Sequence, residues 1–251
     1  MKVKEDDIPG LPELLFSLAS EDRLALLSEL DSKKQRLTTL SKTINASVQE
    51  CSRHLERLSD SGLVARDSGG LFSTTSLGKS VLMQFPGTKF LLDNRNYFLG
   101  HAPTLLPGQF VERLGELSSG AYTDHISQTL ELIKEIISEA KEYVWLIADQ
   151  PPIVSKVAGS SFASREIPVK LICEVVDRKI LADVKSNLTN SEMLMLKDVH
   201  VAMAMNERHA GICFPDLNGR PDFNAGFNSR EERFTKWCRD LFQHYWTSRA
   251  K

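Results

Sequence analysis

The chain has 251 residues, 41% hydrophobic and 25% charged, with a formal net charge of -2. That is the balance of a soluble globular protein with enough apolar material for more than one core. Met1 to Asp7 is charged with no apolar h-region, and no apolar run approaches the ~20 residues that a membrane span requires, so neither a secretory leader nor a membrane span is expected and a cytoplasmic location is.

The first readable unit runs from Arg36 to Leu77: a short helix, a sharp turn, a second helix, and a two-stranded ribbon with a glycine tip. Ser47 and Glu50 have the S-x-x-E spacing of a capping box, which places a helix start at Ser47. Val48, Cys51, Leu55 and Leu58 then fall at positions that keep one side of a 3.6-residue helix against a core. Gln49, Arg53 and Arg57 point the other way, and long amide and guanidinium groups supply the bidentate donors that base edges and phosphates accept. Gly62 ends the helix. Leu63 to Arg66 and Leu71 to Thr74 are β-prone runs joined by Asp67-Ser68-Gly69-Gly70, a tight hairpin. Lys33, Lys34, Arg36, Lys42, Arg53, Arg57 and Arg66 outnumber Glu50, Glu56 and Asp60 by seven to three, a local source of phosphate neutralisation in a weakly acidic chain. This order of elements is that of a winged helix-turn-helix, which lays its second helix in the DNA major groove.

Ser76 to Phe85 reads as a closing helix that Pro86-Gly87 breaks. Thr88 to Ser119, rich in aromatics and punctuated by proline and glycine, reads as short helices lying over other surfaces. A long helix follows from Tyr122 with a stripe of Ile126, Leu130, Ile133, Ile137 and Ala140. Tyr143 to Ala148 and Val169 to Cys173 are continuous apolar runs of strand length, which suit strands buried on both faces. Asp177 to Ser186 reads as helix, and Met193 to Leu196, Val199 to Asn206 and His209 to Phe214 as strands. Glu231 to Ala250 is a helix with a wide aromatic face. Strands mixed with helices predict an α/β layer architecture. The four cysteines, Cys51, Cys173, Cys213 and Cys238, sit in apolar patterns and read as reduced core thiols.

Three sets of residues resemble known families. Leu18 to Leu24, Ser52-Arg53-His54-Leu55 and Ser61-Gly62-Leu63-Val64 look like landmarks of ArsR-like winged-helix domains. No Cys-x-Cys or Cys-x-x-Cys lies near the recognition helix, so the metal-sensing role of some members is not carried over, and neither a metal nor a cofactor is expected. His209, Gly211 and Asp216, followed by Ala225-Gly226-Phe227-Asn228, resemble one copy of the phospholipase D-like H-x-K-x-x-x-x-D signature with its G-S-x-N. In that resemblance the histidine is the nucleophile and the lysine neutralises the phosphate; here the lysine position is Gly211. Phe214 to Asp222 with Gly226, and Phe234 to Trp246, look like the C-terminal half of archaeal winged-helix regulators with a methanogenesis-regulator type of effector domain, distantly related to the TrmB group.

The expectations are therefore an α+β winged helix-turn-helix over residues 1–86, a helical connector over 87–121, and an α/β effector and dimerisation domain of degenerate phospholipase D-like form over 122–251. Their function is expected to be transcription regulation by a homodimer bound to an inverted-repeat operator in double-stranded DNA, with no catalytic residue and so no enzymatic activity. Gln49 and Arg53 are expected at base edges, Ser47, Ser52 and Lys42 at phosphates, Arg66 on the backbone from the wing, with Arg57 and His54 beside them. His209, Asp216 and Asn228 are candidates for a small-molecule effector site. The alternatives are a phosphodiesterase using His209 and an adaptor that contacts the transcription machinery.

Overall fold

A computed structural model describes residues 10–149, 167–174 and 190–248, which divide into two compact units, Met1–Phe85 and Pro86–Lys251. The helix expected over Asp177 to Ser186 lies outside the described residues.

The N-terminal unit runs α1 (Leu11–Leu18), α2 (Glu21–Ser32), β1 (Gln35–Arg36), α3 (Leu37–Thr43), α4 (Val48–Asp60), β2 (Val64–Arg66), β3 (Leu71–Thr74) and α5 (Ser76–Leu82). Its three strands form an antiparallel sheet in the order β1-β3-β2. Strand β1 is an addition to the sequence reading, which gave Arg36 to the helix. Leu26, Leu27, Leu40, Cys51, Leu55, Leu58 and Leu63 are fully buried in one core that Phe72 closes from the wing. Arg23 is buried beside them, and its guanidinium donates to the carbonyls of Ser17 and Phe16, satisfying the open C-terminal end of α1.

Pro86-Gly87 does not break the chain as expected. A helix, α6 (Phe85–Asp93), begins there, because proline in a first helical turn removes an N–H that has no partner anyway. Then come α7 (Arg95–Phe98), α8 (Gly108–Val111), β4 (Ala121–Thr123), α9 (Ile126–Glu139), β5 (Val144–Ala148), β6 (Val169–Glu174), β7 (Ser191–Leu196), β8 (Ala202–Met205), β9 (Ala210–Cys213), β10 (Gly226–Ser229) and α10 (Glu232–Thr247). The sheet order is β4-β10-β9-β8-β5-β6-β7, parallel only between β5, β6 and β7. Side chains alternate across it with period two. Leu146, Ala148, Leu171, Cys173, Ala202 and Ala204 share a core with Ile136 and Ile137 of α9. Ile147, Ile172, Met203, Met205 and Ile212 share another with Phe234, Trp237, Leu241 and Phe242 of α10. Helices thus cover both faces of a mixed sheet. Phe90, Tyr97, Phe110, Leu114 and Leu117, from the segment expected as a connector, are buried in the α10 core. Trp237 Nε1 donates to Phe110 O at 3.2 Å, and Phe214 N donates to the Tyr97 hydroxyl at 3.0 Å.

Strands β4 and β10 escaped the sequence reading. The sequence pattern predicts helix from Tyr122 onward, and Gly-Phe-Asn-Ser is poor in strand formers; pairing with β9 and β4 overrides that propensity.

Gly78 in α5 is the tightest backbone approach of the N-terminal unit. An added Cβ would overlap Leu63 O and come within 2.7 Å of Thr74 Cγ2. Gly78→Ala should cost about 1–3 kcal/mol, read by urea unfolding followed by far-UV circular dichroism. Gly108→Ala, where a Cβ meets nothing within 4 Å, should stay within about 0.5 kcal/mol.

Candidate nucleic-acid interface

Helix α4 is held at both ends. At its start Glu50 N donates to Ser47 Oγ at 3.2 Å, and Ser47 N donates back to Glu50 Oε2 at 3.0 Å. The Ser47 hydroxyl, donating to Glu50 Oε2 at 2.8 Å, and then the Ser47 N–H hold the Glu50 carboxyl below its ordinary pKa. At its end Gly62 takes a φ of 71°, Gly62 N donates to Ser59 O at 2.8 Å and Leu63 N to Leu58 O at 2.9 Å, a Schellman closure. The turn from α3 passes through Asn45 at φ 52°, a left-handed position that asparagine tolerates.

This register turns Cys51, Leu55 and Leu58 inward and leaves Gln49 and Arg53 exposed. The side chains of Gln49, Arg53 and Lys42 hold no hydrogen bond or ion pair among the described residues. Val48 departs from the expected stripe: it is 48% exposed, because the first helical position lies beyond the edge of the core. Arg57 is exposed, with its guanidinium 4.7 Å from the Phe16 ring centre on α1. Ser52 Oγ donates to Glu56 at 3.1 Å, and His54 Nε2 lies 3.5 Å from Asp22. The Ser47 hydroxyl is already engaged with Glu50.

In the wing loop the Asp67 carboxylate accepts from Gly69 N and Leu71 N, both at 3.0 Å, and Gly70 takes a φ of 79°. Arg66 lies over Phe72 at 5.5 Å from the ring centre. A groove between the wing and the start of α3 is lined by Arg36, Thr38, Arg66 and Gly69. Arg36, counted above only as part of the local basic surplus, and Thr38, which was not expected, are carried there by the β1–β3 pairing.

In the C-terminal unit His209 and Asn228 do meet, Nε2 to Oδ1 at 3.3 Å. Asp216 does not join them: beyond the far end of β9, it accepts from Asn218 N at 2.8 Å and Arg220 N at 3.0 Å in its own turn. A Cβ at Gly211 would start 3.0 Å from the Leu132 side chain of α9, so the lysine of the resembled signature would require Leu132 to shift. What stands beside His209 instead is Glu135, Glu139 and Arg230. Arg230 bonds Glu135 at 2.6 Å and Glu139 at 2.8 Å. The sequence signal for this group was an exposed Glu-x-x-x-Glu one helical turn apart, on the side of α9 away from its apolar stripe. The four cysteines are buried, and burial pushes their thiols up, to about 11 at Cys173.

No protein-family model matches the sequence, and no curated protein does. Among solved structures, TrmBL2, an archaeal chromatin protein described as showing a novel mode of DNA binding, is similar over 98% of both chains at 14% identity and a TM-score of 0.38. NolR from Sinorhizobium fredii is similar over 33% of this chain and 89% of its own, at 20% identity and a TM-score of 0.29. An O-methyltransferase family protein from Burkholderia thailandensis is similar over 78% of this chain and 65% of its own, at 10% identity and a TM-score of 0.29. One expectation is corrected. The sequence reading placed the chain outside the enzymes, and likenesses to O-methyltransferases over 74–79% of its length withdraw that exclusion. At these distances no reaction or substrate is transferred.

The capping geometry yields a pH-dependent expectation. Ser47→Ala should cost about 0.5–2 kcal/mol at neutral pH. The part owed to the Glu50 carboxylate, whose folded-state pKa is depressed, is present above the unfolded value near 4.3 and lost as pH falls through the folded one. The difference between Ser47→Ala and the natural chain in urea midpoints should therefore shrink in acid.

Proposed function

We propose that the chain is a cytoplasmic, homodimeric transcription regulator that reads double-stranded DNA with α4. The observation that carries this reading is a doubly anchored helix presenting Gln49 and Arg53, exposed and unengaged, beside a wing bearing Arg66. Long bidentate donors on a rigid helix suit major-groove base edges, and Lys42, Arg36 and Arg66 suit the phosphates on either side. Ser47, already committed to Glu50, serves the interface by fixing the helix, and its exposed start favours a phosphate nearby. Ser52 and His54 are assigned supporting contacts, and Arg57 a backbone contact at the α1 side.

The finer assignment is an ArsR-like winged helix joined to an effector and dimerisation domain of TrmB-like, degenerate phospholipase D-like descent. The first is supported by Ser52-Arg53-His54-Leu55 lying on α4 and Ser61-Gly62-Leu63-Val64 forming its closure. The second is supported by the meeting of His209 and Asn228, around which a small-molecule effector is proposed to act; Asp216 is proposed only as a distant contributor. Two-fold symmetry makes the operator an inverted repeat with half-sites about one helical turn, or a multiple, apart.

Selection of bound fragments from genomic DNA, followed by gel shifts, tests the reading. Arg53→Ala should weaken binding to the selected site by about 1–3 kcal/mol and relax its sequence preference. Arg66→Ala should lower affinity for all sequences and reduce the slope of log affinity against log salt by about one. If neither change alters affinity, or if no salt-dependent DNA binding occurs at all, the reading fails and a protein-contact adaptor takes its place.

A further inference from the structure

We propose that Glu135, Glu139 and His209 hold a divalent transition-metal ion, of which Zn²⁺ is the representative, and that Arg230 is the resident cation that the metal displaces. The site lies within the C-terminal unit and does not rest on the DNA reading.

One ligand atom from each of the three residues lies within 4.8 Å of the other two. Zinc bonds of about 2.0–2.1 Å in a tetrahedral shell place donors about 3.3 Å apart, so the group must close by roughly 1.5 Å. Both glutamates are exposed, sit one helical turn apart on α9 and have three side-chain torsions each, so they can supply that movement.

A pair of exposed carboxylates bridged by arginine is by itself an ordinary surface network. His209 is what separates this one from such networks. It is 3% exposed, and its Nδ1 is buried with no hydrogen-bond partner among the described residues. Asn228 Nδ2 donates to Ala121 O at 3.3 Å, which turns Asn228 Oδ1 toward His209 Nε2 at 3.3 Å. An oxygen acceptor there places the ring hydrogen on Nε2 and leaves the lone pair on Nδ1. An imidazole whose tautomer is set by an outer hydrogen bond is the arrangement that metal-ligating histidines use.

The backbone around it is pinned. Asn206 Nδ2 donates to Ile136 O of α9 at 2.7 Å, while Asn206 Oδ1 accepts from Arg208 N and His209 N at 2.8 Å each. The ring therefore stands at a fixed place beside the helix that carries both glutamates. Two carboxylates balance a divalent ion, whereas with Arg230 alone they leave one negative charge. Arg230 is exposed and borders an open groove with Arg208 and Asn206, into which it can swing. Nitrogen and oxygen donors without thiolate select zinc, cobalt or manganese over copper(I).

Calorimetric titration of the untagged full chain with Zn²⁺, paired with Co²⁺ absorption, tests the site. Expected are one ion per chain and a Co²⁺ spectrum with no thiolate charge-transfer band. Glu139→Gln should weaken affinity at least about tenfold, and Arg230→Ala should tighten it, with both surface variants retaining native circular dichroism. Absence of saturable binding by the natural chain overturns the proposal, even if Arg230→Ala binds. So does binding that Glu139→Gln leaves unchanged, which would mark an adventitious site elsewhere.

Discussion

The reciprocal bonds between Ser47 and Glu50 fix where α4 begins, and that starting point decides which of its side chains are available to anything outside the protein. A helix turns by about 100° per residue, so with its start fixed and Cys51 and Leu55 against the core, Gln49 and Arg53 are held on the opposite face. Gly62 guards the same register from the other end, and its left-handed conformation also launches Leu63 into the core and Val64 into the wing. Helix α4 and the wing are therefore one piece of geometry set by three residues.

The second unit is governed by a different constraint. Its sheet is covered on both sides, so the central strands β8 and β9 are buried at every position and β5 nearly so, and polar groups find room at the sheet's edges, at strand ends and in turns. That is where its polar chemistry gathers. His209 and Asn206 stand at the β8–β9 turn, Arg230 follows β10, and Asp216 and Asp222 lie after β9.

Much of this was legible in the sequence because the signals were local. The capping box, the Gly62 stop, the wing glycines and the apolar runs of β5 and β6 depend on residues within a few positions of one another, and the structure carries each of them. What escaped depends on partners far along the chain. Gln35 and Arg36 are a strand only because Phe72 and Leu71 lie opposite, and Gly226 to Ser229 only because of β9 and β4. Val48 was assigned inward by periodicity, which says nothing of where a core stops. The same holds for the groups around His209. Periodicity placed Glu135 and Glu139 outside the apolar stripe of α9, but only the folded sheet brings β9 and β10 beneath them. Asp216 fell away from the group for the opposite reason: a signature spacing places residues in sequence, and a tight turn of its own captured that carboxylate first.

Asn206 spends both ends of its amide on backbone, one on a carbonyl of α9 and the other on the turn that leads into β9. The Glu207 carboxylate adds a second fastening by accepting from Lys141 N at 3.1 Å just past the end of that helix. Helix and hairpin are thus tied at two points, which couples the position of α9 to the turn between β8 and β9, the two strands at the centre of the sheet.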